Sequence, residues 1–189
     1  SNLVFLLAAW LFADNPACAV DYPGPRPGPA RASCSAGDAT LENAAIAVRW
    51  MFTDGRLKPD RLSHKQSGTS LSCVGNECFS LLLAQTPDPR TRELRASELK
   101  LAAPPEIKQL PPDPGSGRLG DRFGGWELSA QLVATAPSFD VRWRAVLRDG
   151  ANYIREEVSI CAQSEPLELS ELILLELSAP QAEAVGSVD

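Results

Sequence analysis

The sequence predicts a mainly β protein, an antiparallel β-sandwich, and three observations carry that expectation. Residues 141–160 read as a hairpin, with Val141, Trp143, Ala145 and Leu147 alternating against Arg142, Arg144 and Arg148 at the period of a half-buried strand. Apolar runs of strand length recur at intervals of roughly ten residues, as in sandwiches and barrels. Sixteen prolines and thirteen glycines fall mostly between those runs, which favours short strands and turns over long helices.

Residues 3–12 form an uncharged apolar run followed by Ala17-Cys18-Ala19, a pattern that resembles a signal-peptide core with a small-x-small cleavage site. A spanning helix needs about twenty apolar residues, so the run is read as residues 1–19 of an export signal whose first residues are missing. The expected location is secreted or periplasmic, with no membrane association after cleavage. Residues 20–40, rich in proline and glycine and without an apolar period, read as an extended linker. The folded domain is expected over 41–189, truncated at its C-terminus because 185–189 break off in what reads as a further strand and turn.

Within that domain, residues 45–53 predict a strand with Ile46, Val48, Trp50 and Phe52 on one face. Asp54-Gly55 turns the chain into a second arm over 56–63, where Pro59 argues for a sheet edge. Further strands are predicted over 79–84, 93–101 and 126–135, the last with Trp126, Leu128, Ala130 and Leu132 on one side. Residues 103–117, with five prolines, predict a connector without regular structure. A strand is preferred over a short helix for 167–177. In the opening hairpin Asp149-Gly150 predicts a tight two-residue turn. In its second arm Ile154, Val158 and Ile160 alternate with Tyr153, Arg155, Glu157 and Ser159. Glu156 breaks that apolar row and so requires a cross-strand partner such as an arginine, or a place near the sheet edge.

The residues 41–50, the turn Asp54-Gly55-Arg56-Leu57, Gln66-Ser67-Gly68, the run Phe79 to Leu83 and the hairpin from Trp143 to Val158 together resemble the opening β-domain of large secreted carbohydrate enzymes. The likeness is to the N-terminal supersandwich that precedes the barrel in α-galactosidase-like glycoside hydrolases, and more loosely to galactose-mutarotase-like domains. It implies a noncatalytic domain supporting a downstream catalytic barrel of the same polypeptide, whose carboxylates lie outside this chain. The alternatives are a mutarotase-like sugar epimerase and a freestanding secreted module that binds carbohydrate or protein. Mutarotase chemistry would need a histidine facing a glutamate, and the single histidine, His64, sits in a polar stretch.

The remaining constellations are modest. A net charge of -6 without a basic stretch interleaved with aromatics argues against nucleic acid. Glu156 and Glu157 are adjacent, so a strand points them to opposite faces and they cannot serve as an acid/base pair. Gly115-x-Gly117-x-x-Gly120 follows prolines where a dinucleotide fold needs a strand, and reads as a loop. Ser63-His64 lies beside no nucleophile elbow. No cofactor, catalytic residue or metal site is expected. Once Ala19 is the cleavage point, Cys34, Cys73, Cys78 and Cys161 remain as candidate disulfide cysteines of open connectivity. Trp50 and Trp143 belong to the core rows. Trp126 and Tyr153 are the candidates for carbohydrate stacking, weighed against core or interdomain packing. The arginines 142, 144, 148 and 155 form a stripe whose ordinary role is a solvated face balanced by Glu156 and Glu157.

Overall fold

The computed structural model describes residues 25–84, 91–163 and 166–174. The predicted signal segment 1–19, with Cys18, and the chain beyond Leu174 lie outside them. The described residues are mainly β, in antiparallel sheets. The first sheet is a meander of β1 (Arg31–Cys34), β2 (Asp38–Glu42), β3 (Ile46–Thr53), β4 (Arg56–His64) and β5 (Thr69–Ser72). The third is small, with β6 (Ser80–Ala84) between β7 (Thr91–Arg95) and β13 (Leu169–Ile173). The second carries the long hairpin of β10 (Gly125–Thr135) and β11 (Ser138–Arg148), with β12 (Arg155–Ala162) on the far edge of β11. On the other edge of β10 lie β8 (Lys100–Leu101) and β9 (Glu106–Leu110).

Alternation decides which face of each strand turns inward. On β3 Trp50 and Phe52 are buried, with Ile46 and Val48 packed against the same cluster; on β10 Leu128, Ala130 and Leu132 are buried, and on β11 Phe139, Val141, Trp143, Ala145 and Leu147. Phe79, Leu81 and Leu83, leading into and along β6, join them, so the three sheets share one core. The largest piece of that core is the pair Trp50 and Trp143, whose rings meet edge to face with centroids 5.3 Å apart and tie β3 to β11.

Several local expectations are corrected. The stretch 20–40 is not linker throughout: Ala30 is buried in the core and β1 pairs with β2 along its full length. What fixes it is Asp149, whose carboxylate accepts the Ala30 N–H at 2.7 Å, together with Gly150 N–H donating to Gly28 O at 2.8 Å. Pro59 lies on β4, an interior strand, and is tolerated because the register slips beside it, between Arg49 and Trp50. The segment 93–101 is two strands broken by a short 3-10 turn at Ala96–Glu98. The proline-rich connector contains β9, which pairs with five residues of β10. Its prolines bracket that strand rather than interrupt it.

The two Asp-Gly turns also part company. Asp54 and Gly55 both take positive φ, 54° and 68°, between the paired Thr53 and Arg56, which is the tight two-residue hairpin predicted there. Asp149-Gly150 is not such a turn, since pairing of β11 with β12 ends at Val146 and Arg155 and leaves a loop that includes Tyr153. Asp149 is occupied with holding the N-terminal segment instead.

Candidate functional site

Strand alternation on β10 to β12 sends one set of side chains outward, and they build a dense ionic surface. Glu127, only 4% exposed, lies between Arg142 (3.2 Å) and Arg144 (3.5 Å), and Arg144 continues to Glu157 at 3.1 Å. Glu157 also receives Arg155 at 2.7 Å and lies 3.7 Å from Arg118. Asp121 then binds Arg148 at 3.1 Å and Arg155 at 3.3 Å. Burial alone would raise the Asp121 carboxyl, but the Arg155 and Arg148 guanidiniums, with Arg118 beyond them, outweigh it and hold the group below the usual Asp value. The arginine stripe is balanced, as expected, but by Glu127, Asp121 and Glu157 and not by Glu156. Glu127 and Asp121 are far from the hairpin in sequence, so only the β10–β11 register and the turn before β10 reveal them.

That ionic lattice anchors an exposed apolar patch. Asp121 belongs to the 3-10 turn Leu119–Arg122, and fixing it fixes Leu119 and Phe123 at 52% and 41% exposure. Tyr153, 49% exposed, reaches this turn from the 149–154 loop, with its hydroxyl oxygen 3.1 Å from where a side chain on Gly120 would begin. Leu119 and Phe123 thus flank a turn that Tyr153 also reaches. Trp126, the other stacking candidate, stands on the core side of β10 and packs against the core. Trp126 is half-buried, whereas Tyr153 is exposed on its loop.

Glu156 is turned the other way. It pairs with Ala145 on the edge strand β12, and its Oε2 accepts the Trp143 indole N–H at 3.3 Å, so an indole takes the place of the expected arginine. Burial raises its carboxyl from 4.5 to about 7, against the lowering effect of the Trp143 and Trp50 indole N–H groups. Trp50 Nε1 is buried without a hydrogen bond of good geometry, so it contributes as a nearby dipole more than as a bonded donor. Glu157, one residue on, faces the arginines, and the adjacent carboxylates point to opposite faces as predicted.

The four cysteines stand as free thiols: Cys34 and Cys161 are exposed on the edge strands β1 and β12 of different sheets, while Cys73 and Cys78 are buried, Cys73 at the start of the turn 73–76 and Cys78 two residues beyond it. Burial raises both inner thiols, Cys78 the more strongly, and the Glu156 charge adds to this at each sulphur. His64 is exposed, with Nδ1 engaged by the Ser67 hydroxyl at 2.7 Å. A cavity of ≈ 220 Å³ between the N-terminal segment and the β2–β3 turn is lined by Pro27, Arg31, Asn43 and the paired Glu42 and Lys65. It is smaller than the ~300 Å³ of ordinary ligand clefts. Among the described residues there is no group of His, Cys, Asp or Glu suited to a metal ion, and no helix long and apolar enough to cross a membrane. No family model, curated protein or solved structure matches the chain.

Proposed function

We propose that this chain is a noncatalytic N-terminal β-domain of an exported carbohydrate-active enzyme, a glycoside hydrolase, and that it packs through the Tyr153 face against a catalytic domain of the same polypeptide. The observation that supports this reading is the exposure of Leu119 and Phe123, on and beside a turn clamped by Asp121, Arg148 and Arg155, and of Tyr153, whose loop reaches that turn. An apolar patch with a charged rim is the ordinary form of an interdomain contact. The sequence resemblance supplies the enzyme class, and the mainly β fold is compatible with it.

A second reading, a carbohydrate-binding module, draws on the same exposed Tyr153 ring, since sugar rings stack on open aromatic faces. The mutarotase reading draws on nothing comparable, because His64 is engaged by Ser67 on an exposed turn. Sequencing the coding region beyond the Asp189 codon tests the first reading. It predicts a barrel with paired Asp or Glu at strand ends, and a stop codon shortly after Asp189 would contradict it. Glycan-array binding abolished by Tyr153→Ala, and unaffected by Trp126→Ala, would favour the module. A coupled anomer assay on the purified protein is expected to show no mutarotase activity.

A further inference from the structure

The cavity between the N-terminal segment and the β2–β3 turn goes beyond that reading and does not depend on it. Its walls are fixed before anything binds. Ala44 N–H donates to Pro27 O at 2.9 Å, Gly150 N–H to Gly28 O at 2.8 Å, and the Gln66 side-chain amide to Pro25 O at 2.8 Å. Pro27 and Pro29, with φ locked by their rings, stiffen the same wall. The polar groups around the cavity are unequally engaged. Arg31 of β1 is the cross-strand partner of Glu42 of β2, so the two side chains leave the sheet on one face, about 5 Å apart at Cβ. Glu42 nevertheless commits its Oε2 to Lys65 Nζ, at 2.6 Å. Arg31 is exposed and has no hydrogen bond or ion pair among the described residues. Two cations thus line the cavity with one carboxylate, a surplus of one positive charge. Asn43, 5% exposed, gives one Nδ2 hydrogen to Ala151 O; among the described residues the other has no acceptor, and Glu42 Oε1 has no donor.

We propose that this cavity binds a small hydroxylated carboxylate of the size of a single sugar acid, with its carboxylate on Arg31 and its hydroxyls on Glu42 and Asn43. The volume of ≈ 220 Å³ suits one small ring and excludes larger ligands. The charge sets the head group: one surplus cation matches one carboxylate, which the planar Arg31 guanidinium can hold through two parallel bonds. A phosphate dianion would exceed that surplus and meet repulsion from Glu42. The open groups set the rest of the ligand, because a hydroxyl can donate to Glu42 Oε1 and accept from Asn43 Nδ2. Acetate lacks the hydroxyls and a neutral sugar lacks the anion, so each satisfies only part of the site. Arg31 gives up no internal bond on binding and the walls are already in place, which keeps the ordering cost low. A free sugar acid and a sugar acid at the end of a glycan offer the same chemistry.

The test titrates the whole chain, at constant ionic strength, with sodium glucuronate, methyl β-glucuronide, glucose, sodium acetate and inorganic phosphate, following the amide NMR signals of Ala32 and Ala44. Glucuronate is expected to shift both signals and to saturate in the millimolar range, with glucose, acetate and phosphate at least about tenfold weaker. Methyl β-glucuronide binding as well as the free acid supports the site and assigns it to a glycan end; binding of the free acid alone supports it and assigns it to a free sugar acid. Arg31→Gln, at an exposed position with no bond to lose, is expected to leave the rest of the spectrum in place and to weaken glucuronate by at least about tenfold. Arg61→Gln, a change at another exposed and unpaired arginine, is expected to leave the affinity unchanged. No saturable shift at Ala32 and Ala44 with either glucuronate form, or glucose or phosphate binding as tightly as glucuronate, would overturn the site. Glucuronate affinity unaltered by Arg31→Gln would overturn the seat of the carboxylate.

Discussion

The Trp143 indole N–H donates to the Glu156 carboxylate at 3.3 Å, beneath an edge-to-face contact with Trp50 that joins two sheets of the protein. A carboxylate so placed is a source of pH-dependent stability. Its folded value of about 7 lies above its ordinary 4.5, so the folded state holds the proton more tightly than the unfolded chain. The linked stability is therefore complete below about pH 4.5 and is lost as pH rises towards 7. The loss is on the order of 3 kcal/mol at most. Glu156→Gln, neutral at every pH, is expected to unfold at higher urea than the parent at pH 8 and at a similar concentration at pH 4.5.

Asn43 is the polar fastener between the β2–β3 turn and the loop after β11. Its Nδ2 donates to Ala151 O at 2.6 Å, and its Oδ1 accepts the Ala45 and Ile46 N–H groups at 2.9 and 3.0 Å. Asn43→Ala leaves these buried groups unpaired and is expected to cost about 2–3 kcal/mol in chemical denaturation. Asn43→Asp keeps the two acceptor bonds but sets a carboxylate oxygen against the Ala151 carbonyl, and is expected to be destabilised at neutral pH.

Gly125 starts β10 opposite Arg148 of β11. A Cβ there would collide with Leu147 O and lie 2.8 Å from the Arg148 Cα, both on main chain that cannot swing aside. Gly125→Ala is expected to lower stability by roughly 2 kcal/mol or more, and thermal unfolding would show it. Gly124, whose nearest neighbour is the Asp149 side chain, is expected to tolerate alanine better.

Asp121 links the ionic face to the apolar patch. Because its carboxyl is held below the ordinary Asp value, its contribution is present above that value and is lost as pH falls through the folded one. Asp121→Asn is expected to cost about 1 kcal/mol at neutral pH and low salt, with the difference from the parent shrinking in acid and in high salt. The same substitution is expected to loosen the 119–123 turn, which faster amide exchange at Phe123 would reveal.

The parts of this fold legible in the sequence are those where one strand carries its own instruction. The rows that carry Trp50 and Trp143 and the Asp54-Gly55 turn need only the pleat and local φ preferences. What the sequence hid depends on a neighbour. Strand β9 has few apolar residues because it pairs at an edge of β10, Pro59 survives on an interior strand through a register slip, and Asp149 is spent on Ala30. The same holds for the site: Tyr153 could be picked out by type, whereas its supports Asp121 and Gly120, and the Glu127 partner of the arginines, lie on distant segments. Trp126 had the same residue-type argument as Tyr153, and its packing against the core from β10 is what distinguishes the two.

The account turns on what covers Leu119, Phe123 and Tyr153. Hydroxyl-radical footprinting of Phe123 and Tyr153, in this chain and in the full translated product of its gene, measures that directly. The proposed interdomain contact predicts strong labelling of both residues in the chain alone and marked protection in the full product. Equal labelling in the two would contradict it.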